Sequence, residues 1–457
     1  MYQKIIDKLK GKNIAILGFG REGKSTYNFI KTNIDDYNVT IIDGNSNLLD
    51  SNSYLSDDKN LSFVLGDNYL NNLDKYDLII KTPGISFKNI DVTNIREKIT
   101  SQLELVLEVF KYNSIGITGT KGKSTTTSLI YNVLKDQGKD TYLLGNIGIP
   151  LLDYVEKFKE DSVLVIEMSG HQLEYVKVSP KYGIILNLFE EHLDHFSSLD
   201  NYYNSKLNMF KYQNEGDYSL YCKDNNTLNN YVLNNNYISN KISISLSDNA
   251  DVYCSNDYVY SGNNKLYNIN DQRYLLGSHN LLDIMFVLKI SELFNLDINK
   301  TINTINNFKG LEHRLELVGT YDDITYYNDA IATIPEATIS AIETLANVNT
   351  LIFGGMDRGI DYSSFIKYLA ECSVTNLIAM RDSGYKIVDK IKEIGTTNNI
   401  YYAKDLEDAV NIAKANTKKG SICLMSPAAP SYNDFKNFEE KGTIYKELVR
   451  NNKEDLW

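Results

Sequence analysis

Gly116-Ile117-Thr118-Gly119-Thr120-Lys121-Gly122-Lys123-Ser124, followed by Thr125-Thr126-Thr127, decides how the rest of the chain is read. Three glycines and a Lys-Ser pair lie between a short apolar strand, predicted over Ser114 to Ile117, and an amphipathic helix, predicted over Thr125 to Gln137. Backbone N–H groups and a helix N-terminus in that order can wrap a phosphate, so the stretch reads as a nucleoside triphosphate loop. The strict pattern G-x-x-x-x-G-K-[ST] is missed here, because Ile117 stands where its first glycine belongs. It is met instead by Gly18-Phe19-Gly20-Arg21-Glu22-Gly23-Lys24-Ser25, which also satisfies the dinucleotide pattern G-x-G-x-x-G. Two loops therefore compete, and their surroundings have to separate them.

The first loop follows an apolar strand (Ile14 to Leu17) and precedes a helix (Lys24 to Lys31) and a second strand, Val39 to Ile42, that ends at Asp43. An acid about 20 residues beyond the glycines, at a strand end, is the ribose-facing position of a Rossmann-like unit. A further strand, Leu78 to Ile80, enters Thr82-Pro83-Gly84-Ile85, a turn at the edge of a parallel sheet where ligands bind. The bland alternative is that Gly18, Gly20 and Gly23 only make a tight strand-to-helix turn. The second loop has a different sequel. Val163-Leu164-Val165-Ile166 runs into Glu167, a strand-then-acid order suited to Mg2+ beside a triphosphate. ATP is therefore assigned to the second loop and another nucleotide to the first.

Downstream of a predicted strand, Tyr182 to Leu188, lies Glu190-Glu191-His192-Leu193-Asp194-His195. His192 and His195 have no third histidine or cysteine at a familiar zinc spacing, so a place near magnesium is the expectation. Residues 211–272, rich in Asn, Tyr, Ser and Asp, read as small antiparallel strands with polar turns. Helices are predicted from Leu281 to Phe294 and on to Phe308, and a hinge at Gly310 to Arg314. Strand–helix alternation then resumes with glycines and polar residues at strand ends, notably Asn328-Asp329, Gly354 to Gly359 and Ser426 to Ser431, which reads as a second Rossmann-like sheet.

With 457 residues the chain is too long for one core. The expected fold is α/β in three domains: Rossmann-like over 1–100, a central phosphate-loop domain with a mostly parallel sheet and a small antiparallel one over 101–310, and Rossmann-like over 311–457. A formal charge of −12 argues against coating nucleic acid, which requires basic surface. Met1 to Lys12 lacks the apolar run of a secretory signal and no 18-residue apolar run occurs, so a cytoplasmic chain with no membrane insertion is expected. The four cysteines form no C-x-x-C pair and are expected to be reduced structural thiols.

The order of motifs resembles the Mur ligase family over essentially the whole chain. The marks are Gly116 to Ser124, Gly145 to Gly148, Glu167-Met168-Ser169 with Gln172-Leu173-Glu174, Asn187 to Asp194, Gly277 to Asn280, His313-Arg314, Asn328-Asp329, and Ser426 to Gly442. The resemblance implies an ATP-dependent amide ligase of peptidoglycan synthesis acting on UDP-N-acetylmuramoyl-L-alanine, ATP and glutamate, with two Mg2+ ions, and expected to be a monomer. It places Gly119, Thr120, Lys121, Gly122, Lys123, Ser124, Thr125, Asn280, Arg314 and Asp329 around ATP. Arg21, Glu22, Asp43, Gly44 and Gly84 fall where the UDP moiety binds, and Asn146, Ser169 and Gln172 at the muramoyl-alanine end. It gives Lys123 the phosphoryl charge, puts Ser124, Glu167 and His192 on metal, and matches Lys206 to a lysine carbamylated by CO2. Thr333, Arg358, Ser431 and Phe438 fall around the amino acid.

Three departures stand out. Ile331 replaces a lysine near the glutamate site, and losing one charge-assisted hydrogen bond costs roughly 1.5–3 kcal/mol. The stereochemistry of the amino acid is therefore open at this point. Asp283 replaces a frequent Asn, and Gly170-His171 replaces Ser-Phe. The rivals are an L-glutamate-adding ligase of the same family, folylpolyglutamate synthase, an NAD-dependent dehydrogenase built on the first loop, and a non-catalytic nucleotide-binding module.

Overall fold

The computed structural model describes residues 1–192, 195–247, 249–345, 347–357, 361–431 and 434–451. It contains three sheets. The first joins β1 (Asn13–Leu17), β2 (Asn38–Asp43), β3 (Leu61–Leu65), β4 (Leu78–Lys81) and β5 (Ile99–Thr100) in the order β3-β2-β1-β4-β5, all parallel. In β1, Ile14 and Ile16 enter one core while Ala15 and Leu17 enter another. A strand buried on both faces needs apolar residues at every position, which is why this one reads as an unbroken run.

The helix behind the first loop begins at Arg21, three residues before the predicted start, and runs to Asn33. Its three glycines do separate jobs. Gly18 has φ +84°, and a Cβ there would stand 2.3 Å from Thr82 Oγ1. A Cβ on Gly23 would meet the Gly18 carbonyl oxygen at 2.1 Å, so this residue lets helix and strand close up, whereas Gly20 faces open space. Gly23→Ala should consequently destabilise the protein by about 1–3 kcal/mol through overpacking against backbone. Urea unfolding would read this, and a midpoint equal to wild type would disprove the packing role.

The second sheet contains β6 (Ser114–Thr118), β7 (Thr141–Gly145), β8 (Val163–Glu167), β9 (Tyr182–Ile185), β10 (Tyr218–Cys222), β11 (Asn240–Ser245), β12 (Val252–Ser255), β13 (Tyr258–Ser261) and β14 (Asn264–Asn268). Their order is β14-β13-β12-β11-β10-β9-β6-β8-β7. The expected separate antiparallel strands of residues 211–272 prove to be an extension of this same sheet. β10 pairs in parallel with β9 and, across a helix at Asn226–Asn234, with β11, β11 pairs in parallel with β12, and only β13, between β12 and β14, runs antiparallel to its neighbours.

The third sheet has β15 (Glu316–Tyr321), β16 (Ile324–Asn328), β17 (Val348–Phe353), β18 (Asn376–Met380), β19 (Asn399–Ala403) and β20 (Ile422–Met425), ordered β15-β16-β20-β17-β18-β19. All its pairs are parallel except β15 with β16. By contacts the chain forms two compact units. One holds residues 1–273 and 278–307, with the first two sheets; the other holds 274–277 and 308–457, with the third.

In each sheet the strand order reverses beside one strand, and the switch point at the carboxyl ends there is where such sheets bind ligands. In the first it lies between Gly18 and Thr82, whose hydroxyl donates to the Leu17 carbonyl at 2.7 Å. In the second it lies beyond β6, where the loop of residues 119–122 begins. In the third it lies where Gly354 N–H donates to the Pro427 carbonyl at 2.8 Å.

Candidate active site

At the end of β6 the chain turns through Gly119 (φ +150°) and Gly122 (φ +84°), and a helix starts at Lys123 itself and runs to Asp136. Lys123 therefore occupies the first helical position, where free N–H groups and the positive end of the dipole gather. Its ammonium donates to the carbonyls of Gly119 at 3.0 Å and Thr120 at 2.8 Å. Lys24 differs although its pattern is the better match. Its helix has already begun at Arg21, which leaves Lys24 a turn inside, exposed, with Nζ 6.0 Å from the Phe19 ring.

The second loop is clamped by a residue to which sequence reasoning assigned no role. Asn187 Oδ1 accepts from the N–H groups of Thr120 at 3.0 Å and Lys121 at 2.8 Å, and its amide donates to the Lys121 carbonyl at 3.1 Å. The run beginning at Asn187 was visible as a motif, but this bonding requires the fold. Ser124 and Thr125 are buried in the first turn of the helix. The helix Ser278–Leu293 reaches the same place. Asn280 lies in its first turn, and a Cβ on Gly122 would stand 2.8 Å from the Asp283 carboxylate. Burial, then the Lys121 charge, lowers the pKa of His279.

Lys206 is 2% exposed on the helix Leu199–Lys211, and its Nζ donates to the Gly119 carbonyl at 2.9 Å and lies 4.7 Å from the Tyr202 ring. Burial, helped by the charge of Lys123 and opposed by Glu191 and Glu167, pulls this amine down to about 7. Glu167, at the end of β8, is buried; one oxygen accepts from Asn146 Nδ2 at 2.8 Å and the other has no hydrogen-bond partner. A carboxyl group with a buried, unused oxygen beside a phosphate loop suits a cation that brings its own charge. Among the described residues no group of three or more acids, histidines or cysteines is already arranged to hold a metal. A third histidine does join the pair seen in the sequence: the His171 ring centroid lies 4.7 Å from that of His192 and 4.2 Å from that of His195. Burial first, then its two histidine neighbours, lowers His171 to about 3, which keeps it neutral.

Within the same unit, side chains of the helix behind the first loop meet the end of β7 and the segment that follows β8. Arg21 donates to the Gly145 carbonyl at 3.1 Å. Glu22, its pKa raised by burial, accepts from Gln172 Nε2 at 2.7 Å, and Gln172 forms a capping box with Ser169. Thus Glu22, Gln172 and Ser169 form one bonded series, while Arg21 bonds the Gly145 carbonyl next to Asn146, which in turn bonds Glu167. Asp43 braces the first loop, accepting from the N–H groups of Phe19 and Asn45, both at 2.8 Å. Gly44 lies under the Tyr69 ring, and Gly84 is exposed.

In the other unit Asp329 is buried beyond β16. Its oxygens accept from Ser426 Oγ at 2.7 Å and Leu315 N at 3.1 Å, while the Arg314 Nε is buried without an acceptor. Burial raises Asp329 from 3.8 to about 6, against the pull of those hydrogen bonds and of Arg314. Between these values the unfolded chain has released a proton that the folded chain keeps. Stability therefore falls as pH rises through this window, by about 3 kcal/mol in all, and the loss is complete above it. Asp329→Asn should remove the effect, so the difference in unfolding free energy between the two proteins should change by about that amount from pH 4 to pH 7. A difference independent of pH would contradict the burial argument.

Thr333 is half-buried, Ser431 Oγ is buried without a partner, and Phe438 opens the helix Phe438–Arg450 with its ring 6.2 Å from that of His313. Arg358 lies outside the described residues. Ile331 is half-buried, and its N–H donates to the His313 carbonyl at 3.2 Å.

Two family models match this chain: the Mur ligase middle domain over residues 117–290, and the Mur ligase glutamate ligase domain over residues 313–429. A UDP-N-acetylmuramoylalanine–D-glutamate ligase of Clostridium botulinum (strain 657 / Type Ba4) is 31% identical over 463 aligned positions, covering 98% of each chain. One from Clostridioides difficile (strain 630) is 32% identical, covering 97% of this chain and 99% of its own. Among solved structures, the UDP-N-acetylmuramate-alanine ligase MurC of Thermotoga maritima matches with a TM-score of 0.59 at 18% identity, over 95% of this chain and 98% of that one. MurF of the same organism, in complex with ADP, matches at 0.56 and 16%, over 97% and 96%. The structures bear on fold alone, while the full-length identity to curated relatives decides membership: this chain belongs to the Mur ligase family.

Proposed function

We propose that the chain joins D-glutamate to UDP-N-acetylmuramoyl-L-alanine at the expense of ATP, a step of peptidoglycan synthesis that it performs as a cytoplasmic monomer. The observation that carries this reading is the meeting of Lys123 and Lys206 on the carbonyl of Gly119, beside the half-used carboxylate of Glu167. Residues 1–100 would take the uridine nucleotide, 101–310 ATP and 311–457 the amino acid.

The muramoyl-alanine carboxylate attacks the γ-phosphorus and ADP leaves. The glutamate amine then attacks the acyl carbon, loses a proton, and phosphate departs from the tetrahedral intermediate. Lys123 and the loop N–H groups hold the charge that builds on the transferring phosphoryl oxygens, where preorganised donors act most strongly. Asn187 keeps those N–H groups in place. Arg21, Glu22, Asp43, Gly44 and Gly84 would hold the uridine nucleotide, and Asn146, Ser169 and Gln172 the muramoyl-alanine end. Asn280, Arg314 and Asp329 would contact ATP; Thr333, Arg358, Ser431 and Phe438 would contact glutamate.

Ser124, Glu167, His192 and a carbamylated Lys206 would hold two Mg2+ ions, which supply positive charge to the triphosphate oxygens. Carbamylation needs a neutral amine: its nitrogen bonds the carbon of CO2 and releases a proton, giving an anion. A lysine pulled down to about 7 offers that amine at neutral pH.

The test is phosphate release with ATP, Mg2+ and UDP-N-acetylmuramoyl-L-alanine, supplying D-glutamate, L-glutamate and other amino acids in turn. Release that depends on D-glutamate is expected. Release that answers only to L-glutamate would change the substrate, and none with any amino acid would refute the ligase reading.

A further inference from the structure

Lys81 is a buried cation that the mechanism above does not use. It closes β4, is 5% exposed, and its Nζ has no hydrogen-bond acceptor. The Phe87 and Tyr175 rings stand 5.9 and 5.5 Å from it, and its nearest charge is Glu174 Oε2 at 3.4 Å, on the segment that follows β8. A charge so enclosed is retained only beside a partner, and removing either member leaves the other uncompensated.

Glu174 Oε2 is shared. It also lies 3.1 Å from His195 Nε2, and because a carboxylate can only accept, that ring nitrogen carries the proton. Burial tends to raise Glu174, but the His195 hydrogen bond and the Lys81 charge prevail and hold it below the usual carboxylate range. The His195 carbonyl is fixed as well, accepting from Ser86 Oγ at 2.8 Å. Lys81 and Ser86 flank residues 82–85, so one segment that leaves the first sheet reaches His195 twice, at its ring through Glu174 and directly at its backbone.

From His195 the grip reaches His192. The N–H groups of His195 and Phe196 both donate to the His192 carbonyl at 3.1 Å. His192 itself has φ +59°, the left-handed region that costs a non-glycine residue energy and persists only where its surroundings enforce it. The contacts just described are such surroundings.

We propose that Lys81, acting through Glu174 and His195 and assisted by Ser86, is a positioning residue for His192, so that the uridine-binding sheet completes the metal-facing half of the ATP site. The inference rests on the reading of His192 as a metal-facing residue.

Mn2+ binding, followed by electron paramagnetic resonance with a non-hydrolysable ATP analogue, tests it in Lys81→Met, Glu174→Gln, Ser86→Ala and His192→Ala beside steady-state kinetics. Lys81→Met is expected to weaken Mn2+ binding at least fivefold and lower kcat at least tenfold, with KM for the UDP substrate within twofold. Lys81→Arg should restore part of both. Should Lys81→Met fail to fold, Glu174→Gln and Ser86→Ala carry the test, each expected to weaken Mn2+ binding at least twofold. Wild-type Mn2+ affinity in the folded Lys81, Glu174 and Ser86 variants, with affinity lost in His192→Ala, would overturn the relay alone. Wild-type affinity in His192→Ala would overturn the relay together with the reading beneath it. A rise in KM for the UDP substrate as the sole change would make Lys81 a substrate contact and likewise overturn the proposal.

Discussion

Lys123→Met is expected to lower turnover by about 10²–10³-fold or more, while Lys24→Met leaves kcat near wild type and raises KM for the UDP substrate. The two lysines close similar sequence patterns, and the difference between them is one of register. Lys123 is the first residue of its helix, so its ammonium returns over the loop to the Gly119 and Thr120 carbonyls, where a γ-phosphate would lie. Lys24 follows three helical residues and is exposed beside Phe19. A charge that acts mainly on the transition state lowers kcat when removed, whereas one that helps to gather an anionic substrate acts on KM. Initial rates with each substrate varied in turn separate the cases. Loss of kcat in Lys24→Met with little change in Lys123→Met would reverse the assignment of the two loops.

Lys206→Ala should lose about 10²–10³-fold in kcat, and acetate or formate should return a measurable part of it. The effect is large because the lysine is buried against the phosphate loop, so the variant leaves a gap where the proposal places an anion. A short carboxylate is small enough to enter the space left by the side chain and carries the same charge as a carbamate. The wild-type amine, pulled down to about 7, is neutral more often as pH rises through that value, which favours reaction with CO2. A carbamate resonance in wild-type protein supplied with 13C-bicarbonate, and missing in Lys206→Ala, would report the modification without recourse to activity. Folded Lys206→Ala that no carboxylate rescues, together with wild type lacking that resonance, would exclude carbamylation.

The two glycine loops were legible because each is made by consecutive residues: a largely buried strand, then glycines, then a helix. What escaped is polar or distant in sequence. β10 and β11 looked like antiparallel strands because the helix between them, Asn226–Asn234, is asparagine-rich, and asparagine competes with helix by bonding its own backbone. It forms nonetheless, since Asn225 caps it at 2.9 Å and Leu228 and Val232 are buried beneath it, and that crossover makes a parallel pair possible. The Lys81–Glu174 contact links two sheets through residues that no local periodicity connects, and the same holds for Asn187 on the phosphate loop. Glu22 and Gln172, each expected to touch substrate, bond one another at 2.7 Å, a contact between residues 150 positions apart that no local pattern signals.

The position of Lys123 also bears on how the products leave. Its ammonium has two carbonyl acceptors within 3.0 Å. A phosphate oxygen must displace these contacts, and the net gain is the difference between a charge-assisted bond to phosphate and those to the carbonyls. That difference is greatest when charge peaks on the transferring phosphoryl group and smallest once only ADP remains. In the proposed ATP site the Gly119 and Thr120 carbonyls would therefore compete with phosphate for Lys123, and compete best against ADP.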